Sequence, residues 1–184
     1  PAPALTPWMR RRRAQNEALL NDPRVRAFLD MISFSEGNTN YDTLFGIHGR
    51  TFSDRSTHPG TRGENYRGQA QSAAGRYQIQ SPTYEDHGNR LGRYTMSDRD
   101  QDLMAIEIIR EGPALESLLA GNLDEAISRL GRRRFWTSFP VLGNGGWRPN
   151  PSGQPTQNIG DLRARYRDAL VRAMEEVPLV WTPG

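Results

Sequence analysis

The chain of 184 residues contains no cysteine, so neither a disulfide framework nor a cysteine metal site is available to it. It contains no lysine either, and all 24 of its basic residues are arginine. No apolar run approaches the roughly 18 residues that a membrane span needs. No secretory signal is visible: the opening PAPALTPWMRRRR places its charges after a short, weak apolar stretch. The first residue is Pro, which implies a removed initiator Met or a piece of a longer chain. The hydrophobic fraction is a modest 35%, yet clear helical stripes argue against wholesale disorder. Twenty-four arginines against 21 acids leave +3. Such a balance fits either an arginine-rich coding bias or attraction to an acidic partner, and does not choose among nucleic acid, an anionic envelope and a charged glycan.

What is present centres on Arg24–Asn38, RVRAFLDMISFSEGN. Asp22 is a suitable N-cap and Pro23 a natural first helical residue. Val25, Leu29, Ile32 and Glu36 recur at helical spacing with Phe28 beside them, and Gly37 stops the helix. Glu36 is thus an acid on an apolar stripe at the carbonyl end of a helix. Apolar surroundings and the helix dipole both disfavour its ionisation. A carboxyl group kept protonated near neutral pH is what a general acid requires.

Residues 1–21 are expected to be an appendage, a solvated tail or a helical arm, with a short helix over Ala14–Leu20 and with Trp8–Met9 beside Arg10–Arg13. Residues 22–184 are expected to form one domain. Tyr41–Gln80 changes character: it is rich in glycine, with β-prone pieces, and predicts a small irregular sheet. GRYQIQ alternates as a strand would, and Thr57–Gln71 is polar enough for a mobile loop. Helices resume at Ser81–Pro82, ending at Gly92, and after the caps Ser97 and Asn122, ending at Gly112 and Gly131. A short one spans Pro113–Ala120. The last begins near Ile159 with Leu162, Tyr166, Leu170 and Met174 as its stripe, and Pro178 limits it. Phe139–Asn158 is read as one long loop, of the kind that is usually functional or disordered. The fold class is α+β, a mainly helical body with a small sheet inserted after the first core helix.

Several segments resemble, in order, the phage lambda-type lysozymes (endolysins): FLDMISFSEGN (28–38), YDTLFG (41–46), FSDRSTHPG (52–60), SAAGRYQI (72–79) and FWTSFPVLGNGGW (135–147). The wider lytic transglycosylase and goose-type lysozyme group shares a helix-ending Glu followed by G-x-x-Q, here Gly75–Gln78. The resemblance implies a lysozyme-like fold and cleavage of the peptidoglycan glycan strand, with Glu36 as the catalytic acid and no cofactor. It further implies that the muramic acid 6-hydroxyl attacks C1, giving a 1,6-anhydro end. The alternative is a hydrolytic muramidase with a second carboxylate, about 5–5.5 Å away in retaining or about 6.5–9.5 Å in inverting enzymes. Asp42, Asp54 and Glu64 lie where such a group could face the cleft. Asp42 is the best of these, read as a structural hydrogen-bond partner before a nucleophile.

Tyr77, Gln78, Trp147 and Asp42 are the expected substrate-binding residues. Strand alternation would aim Tyr77 and Gln78 at opposite faces, and Trp147 would stack on sugar from a closing loop. Trp136, Phe139 and Tyr166 are expected in the core. His48, Asp54 and His58 do not have the spacing of a metal ligand set, and no metal is expected. Arg132–Arg134 followed by Phe135-Trp136 is the one feature favouring nucleic acid, but no nucleic-acid-binding motif accompanies it. The expected partner is therefore peptidoglycan, met by a monomer without membrane insertion. The expected setting is the host cytoplasm and then the cell wall, with a virion-associated or injected enzyme as the alternatives.

Overall fold

Helix α2 (Pro23–Ser35) forms because both of its ends are specified locally and one face is apolar. The Asp22 carboxylate accepts from the Arg24 N–H at 2.9 Å, and Pro23 opens the first turn. At the other end the Gly37 N–H donates to Phe34 O at 3.0 Å and the Asn38 N–H to Ser33 O at 2.9 Å, the paired bonds of a Schellman stop. Gly37 has φ +96°, open to glycine at little cost. The computed structural model describes residues 4–45, 50–60, 65–66 and 69–176, the short stretches 65–66 and 69–70 by backbone alone. Gly46, His48, Glu64 and Pro178, which entered the expectations above, lie outside the described residues.

Around α2 pack α5 (Asp98–Glu111), α6 (Leu115–Leu119) and α8 (Ile159–Glu175), with α8 lying along it, and α7 (Leu123–Arg132) packs on α6. Val25, Phe28, Met31 and Ile32 of α2 are fully buried. Phe28 meets Phe139 and Tyr166 edge-on at centroid distances of 6.1 and 6.5 Å. On the outer side of the α2–α8 seam, Asp30 takes Arg165 at 2.7 Å. Gly131 does not end α7 as expected; the helix runs on to Arg132. A Cβ at Gly131 would stand 2.9 Å from Pro140 O, so the glycine serves close approach rather than termination.

The N-terminal segment is helical from Pro7 to Leu19 (α1), longer than expected, because Thr6 caps it and Pro7 occupies its first position. It lies against α5 and the short turn α4 (Arg90–Gly92), which closes an irregular helical run starting with α3 (Ser81–Thr83). The run is interrupted by a π-helical stretch, Tyr84–Asn89.

The sheet region is small, as expected, but differently built. A two-residue antiparallel pair, β1 (Asn65–Tyr66) with β2 (Gln69–Ala70), accompanies single bridges Thr43–Thr51, Leu44–Ala74 and Ala74–Ile79. The last of these closes a tight turn, so Gly75–Gln78 is a turn and not a strand. Part of the stretch expected to be mobile is packed. His58 is buried, with Nδ1 accepting from the Gly60 N–H at 3.0 Å, which leaves Nε2–H to donate to Ile79 O at 2.8 Å. The long loop is also not wholly irregular: β3 (Val141–Gly143) and β4 (Gly146–Arg148) form a hairpin inside it.

The turn is fastened from the core by Gln101, which is 1% exposed. Its Oε1 accepts from the Arg76 N–H at 2.9 Å, and its Nε2 donates to Tyr41 O and Met96 O, both at 2.8 Å. Gly75 has φ +77°, and a Cβ there would fall 2.1 Å from Gln101 Oε1. Gly75→Ala is therefore expected to lower stability by about 2–4 kcal/mol, combining backbone strain with overpacking. Gly37→Ala meets no neighbour within 4 Å and should show backbone strain alone, about 1 kcal/mol. Urea denaturation of the two variants side by side checks the difference.

Candidate active site

Glu36 is the C-cap of α2, and the Schellman stop turns the chain away immediately behind it. Its side chain enters the wall of a groove of about 580 Å³. It is lined by Phe45, Gln71, Ala73, Gln78 and Gln80, by the segment Arg134–Thr137, and by the loop residues Ser152, Gln154 and Pro155. Among the described lining residues only Glu36 and Arg134 carry ionisable charge. Burial pushes the Glu36 carboxyl up to about 7, and a hydrogen bond from Ser138 opposes that rise. Desolvation of the charged form is thus the dominant cause.

Ser138 Oγ lies 2.6 Å from Glu36 Oε1 and 3.1 Å from Ser35 Oγ. Ser35 in turn donates to Ile32 O at 2.8 Å, one turn back in α2. Ser138 is held from behind: its carbonyl accepts the Gln157 N–H at 2.8 Å, and Gln157 Nε2 reaches Ser35 O at 3.2 Å. The segment carrying it is pinned by Trp136, whose indole N–H donates to Tyr77 O at 2.8 Å. Trp136 and Phe139 are core residues, as is Tyr166.

Gln78 faces the groove from the Gly75 turn in a left-handed conformation, φ +46°. Its Nε2 donates to Gly75 O at 2.9 Å, which holds the side chain in place. Beyond it Gln80 Oε1 receives the Ser72 N–H at 3.1 Å, and Gln80 Nε2 donates to Gln71 Oε1 at 3.2 Å, a braced amide wall.

Of the expected binding residues the structure brings only Gln78 to Glu36. Tyr77 is 1% exposed, and its hydroxyl donates to Asp102 Oδ1 at 2.5 Å. It borders a different cavity of about 490 Å³, together with Tyr41, Asp30, Arg76 and Arg172. The turn explains the division: with Gln78 in the left-handed region, the two side chains leave on opposite sides. Asp42 is not among the groove residues; its carbonyl accepts the Phe52 N–H at 3.0 Å. Trp147 sits on β4, half-buried against the core, with the Arg163 guanidinium 5.9 Å from its ring. Asp54 caps a turn, accepting from the Ser56 N–H at 2.9 Å. The sequence does not single out Ser138; it shows Arg134 only as part of the Arg132–Arg134 patch, and residues 152–155 only as part of the long loop Phe139–Asn158. Ser138 stands inside the family-like segment FWTSFPV, but nothing local ties a hydroxyl there to an acid 102 residues earlier.

The Endolysin family matches residues 26–172 of the chain. The endolysin of Escherichia phage P2 is 36% identical over 137 residues, 66% of this chain and 82% of that protein. The endolysin of Escherichia phage lambda is 33% identical over 159 residues, 82% of this chain and 92% of that protein. Among solved structures, bacteriophage lambda lysozyme complexed with a chitohexasaccharide superposes with a TM-score of 0.65 at 30% identity, covering 80% of this chain and 94% of the other. A second lambda lysozyme structure gives 0.60 at 26% identity, covering 84% and 94%. No helix among the described residues is long and apolar enough to cross a membrane. With its lysozyme-like fold and a half-buried acid in an open groove, the chain belongs to the Endolysin family and is a peptidoglycan-cleaving glycosidase.

Proposed function

We propose that this enzyme is a lytic transglycosylase, with Glu36 as its one catalytic carboxyl. The observation that carries the reading is that Glu36 is the sole acid among the described residues lining the groove. A two-carboxylate glycosidase requires a partner within about 10 Å across the scissile bond. Protonated Glu36 gives its proton to the glycosidic oxygen that leaves muramic acid C1. Positive charge develops at C1, and the 6-hydroxyl of the same sugar bonds to it. The Glu36 carboxylate takes the hydroxyl proton, so the acid is restored, a 1,6-anhydro ring forms and no water is consumed. Held geometry makes such an internal attack fast.

The lambda lysozyme complexed with a chitohexasaccharide supports glycan binding in the matching groove here. Gln78 Oε1 is the acceptor for a sugar N–H or hydroxyl, and the Phe45 and Phe135 rings supply apolar faces. Tyr77, Trp147 and Asp42 have no direct part. The setting that accords with this chemistry is a phage-encoded enzyme, acting as a monomer on the host's cell wall.

The test is mass spectrometry of muropeptides released from purified walls. Fragments lighter by one water than hydrolysis products, and unchanged by borohydride, are expected. Borohydride-reducible muramic ends would instead establish hydrolysis by water.

A further inference from the structure

Ser138 has one hydroxyl proton and two acceptors within reach, Glu36 Oε1 at 2.6 Å and Ser35 Oγ at 3.1 Å. Only one can receive it at a time. Ser35 cannot be the donor in that contact, because its own proton is committed to Ile32 O at 2.8 Å. We propose that Ser138 is a two-position hydroxyl switch that positions Glu36 and is backed by Ser35: it donates to Ser35 while Glu36 holds its proton, and turns to donate to Glu36 when that proton leaves. The inference rests on Glu36 being the acid of the proposed reaction.

In the first position every proton has a place. Glu36 O–H donates to Ser138 Oγ, Ser138 O–H to Ser35 Oγ, and Ser35 O–H to the helix carbonyl. In the second position the Ser138 hydroxyl faces the carboxylate in a charge-assisted bond, which is the stronger kind. Ser35 Oγ then loses its donor while keeping its own bond. The carboxyl is thus held in one orientation through both halves of the reaction, and only a hydroxyl rotates. Ser35 is 4% exposed and Ser138 8%, so bulk water does not compete readily for either bond. Of the elements around the carboxyl, the 134–139 segment brings one charged group to the groove, Arg134. The 71–80 turn and the 152–155 loop bring amides, a hydroxyl and apolar groups.

The switch makes the two serines act in opposite senses. Without Ser138 the ionised form of Glu36 loses more than the protonated form. Without Ser35 only the protonated form loses, because Ser138 then has no acceptor except the carboxylate. Two readouts test this: the alkaline limb of kcat/KM on purified walls, and the carbon-13 carboxyl titration of Glu36 by NMR. Ser138→Ala should raise the titration midpoint by about one pH unit. Ser35→Ala should lower it by about half a unit. The double variant should match Ser138→Ala alone, since Ser35 acts only through Ser138. If an alanine variant does not fold, the corresponding cysteine variant should shift in the same sense by less.

Shifts of the same sign, no shift, or additive shifts in the double variant overturn the switch. The NMR titration separates this result from the reading of the reaction: opposite shifts in a chain whose Glu36→Gln variant still lyses walls would keep the switch and remove the proposed role of Glu36.

Discussion

Glu36→Gln is expected to lower lysis of purified cell walls by about 10²–10⁴-fold and to leave a folded protein that is more stable than the parent above neutral pH. Gln retains the size of Glu and can accept from Ser138, but it has no proton to give a leaving oxygen. The stability change follows from the same burial that makes the acid useful. Glu36 is raised to about 7 in the fold, against 4.5 for the unconstrained group. Between those values the native state keeps a proton that the unfolded chain has released. Stability contributed by the protonated carboxyl is therefore complete below 4.5 and falls as pH rises, until the group ionises in the fold near 7. That interval amounts to about 3 kcal/mol. Gln does not titrate, so the variant loses none of it.

Urea denaturation at pH 4.5, 6 and 8 should thus show parent and variant converging at the acid end and separating by about 3 kcal/mol at the alkaline end. A lytic Glu36→Gln variant removes the acid from the mechanism. A difference in stability that does not change with pH means that the carboxyl is not desolvated. The two measurements are coupled by one physical cause: the free energy that keeps Glu36 protonated for catalysis is free energy the fold gives up at high pH.

The catalytic helix was legible in sequence because its determinants are local. Asp22, Pro23 and Gly37 act within a turn of the residues they cap, and the Val25–Leu29–Ile32 stripe needs only a period of 3.6. The same holds for the caps Ser97 and Asn122. The GRYQ segment was misread because four alternating residues fit a strand and a turn equally well. What decides is the positive φ at Gly75 and Gln78, and a Gln101 side chain arriving from α5. The β3–β4 hairpin carried a signal that the surrounding glycines and prolines obscured: Asn144–Gly145 is the two-residue pair that favours a tight hairpin turn. Ser138 had no local mark at all. Its importance comes from a contact across the whole domain, and tertiary packing alone creates it. Of the two readings of the first segment, a solvated tail or a helical arm, the structure shows the arm: Arg12 and Arg13 point inward, at Glu107 and Asp100.

That inward-pointing pair leads to a second large effect. Helix α1 lies outside the part of the chain matched to the family, and its one fully buried residue is polar, Asn16. Asn16 Nδ2 donates to Glu107 Oε2 at 2.7 Å, Arg12 Nε approaches Glu107 Oε1 at 3.0 Å, and Arg110 Nη2 donates to Asn16 Oδ1 at 2.6 Å. Glu107 is 0% exposed, so these neighbours stand where water would otherwise contact its carboxyl group. Removing the partners of a buried charge typically costs about 3–5 kcal/mol, whereas exchanging the whole set for apolar groups is often neutral. Arg12→Met with Asn16→Leu should therefore destabilise the protein by about 3–5 kcal/mol. Adding Glu107→Leu to that pair should restore most of the loss. Since little apolar surface holds α1 otherwise, the double variant should also release the helix. Trypsin would then cut at Arg10–Arg13 while the rest of the domain stays intact, and the triple variant would resist it. Equal stability of all three proteins, or equal resistance to trypsin, would mean that α1 is held by something other than the Glu107 network. Failure of Glu107→Leu to rescue would mean that the lost contacts, and not the stranded charge, set the cost.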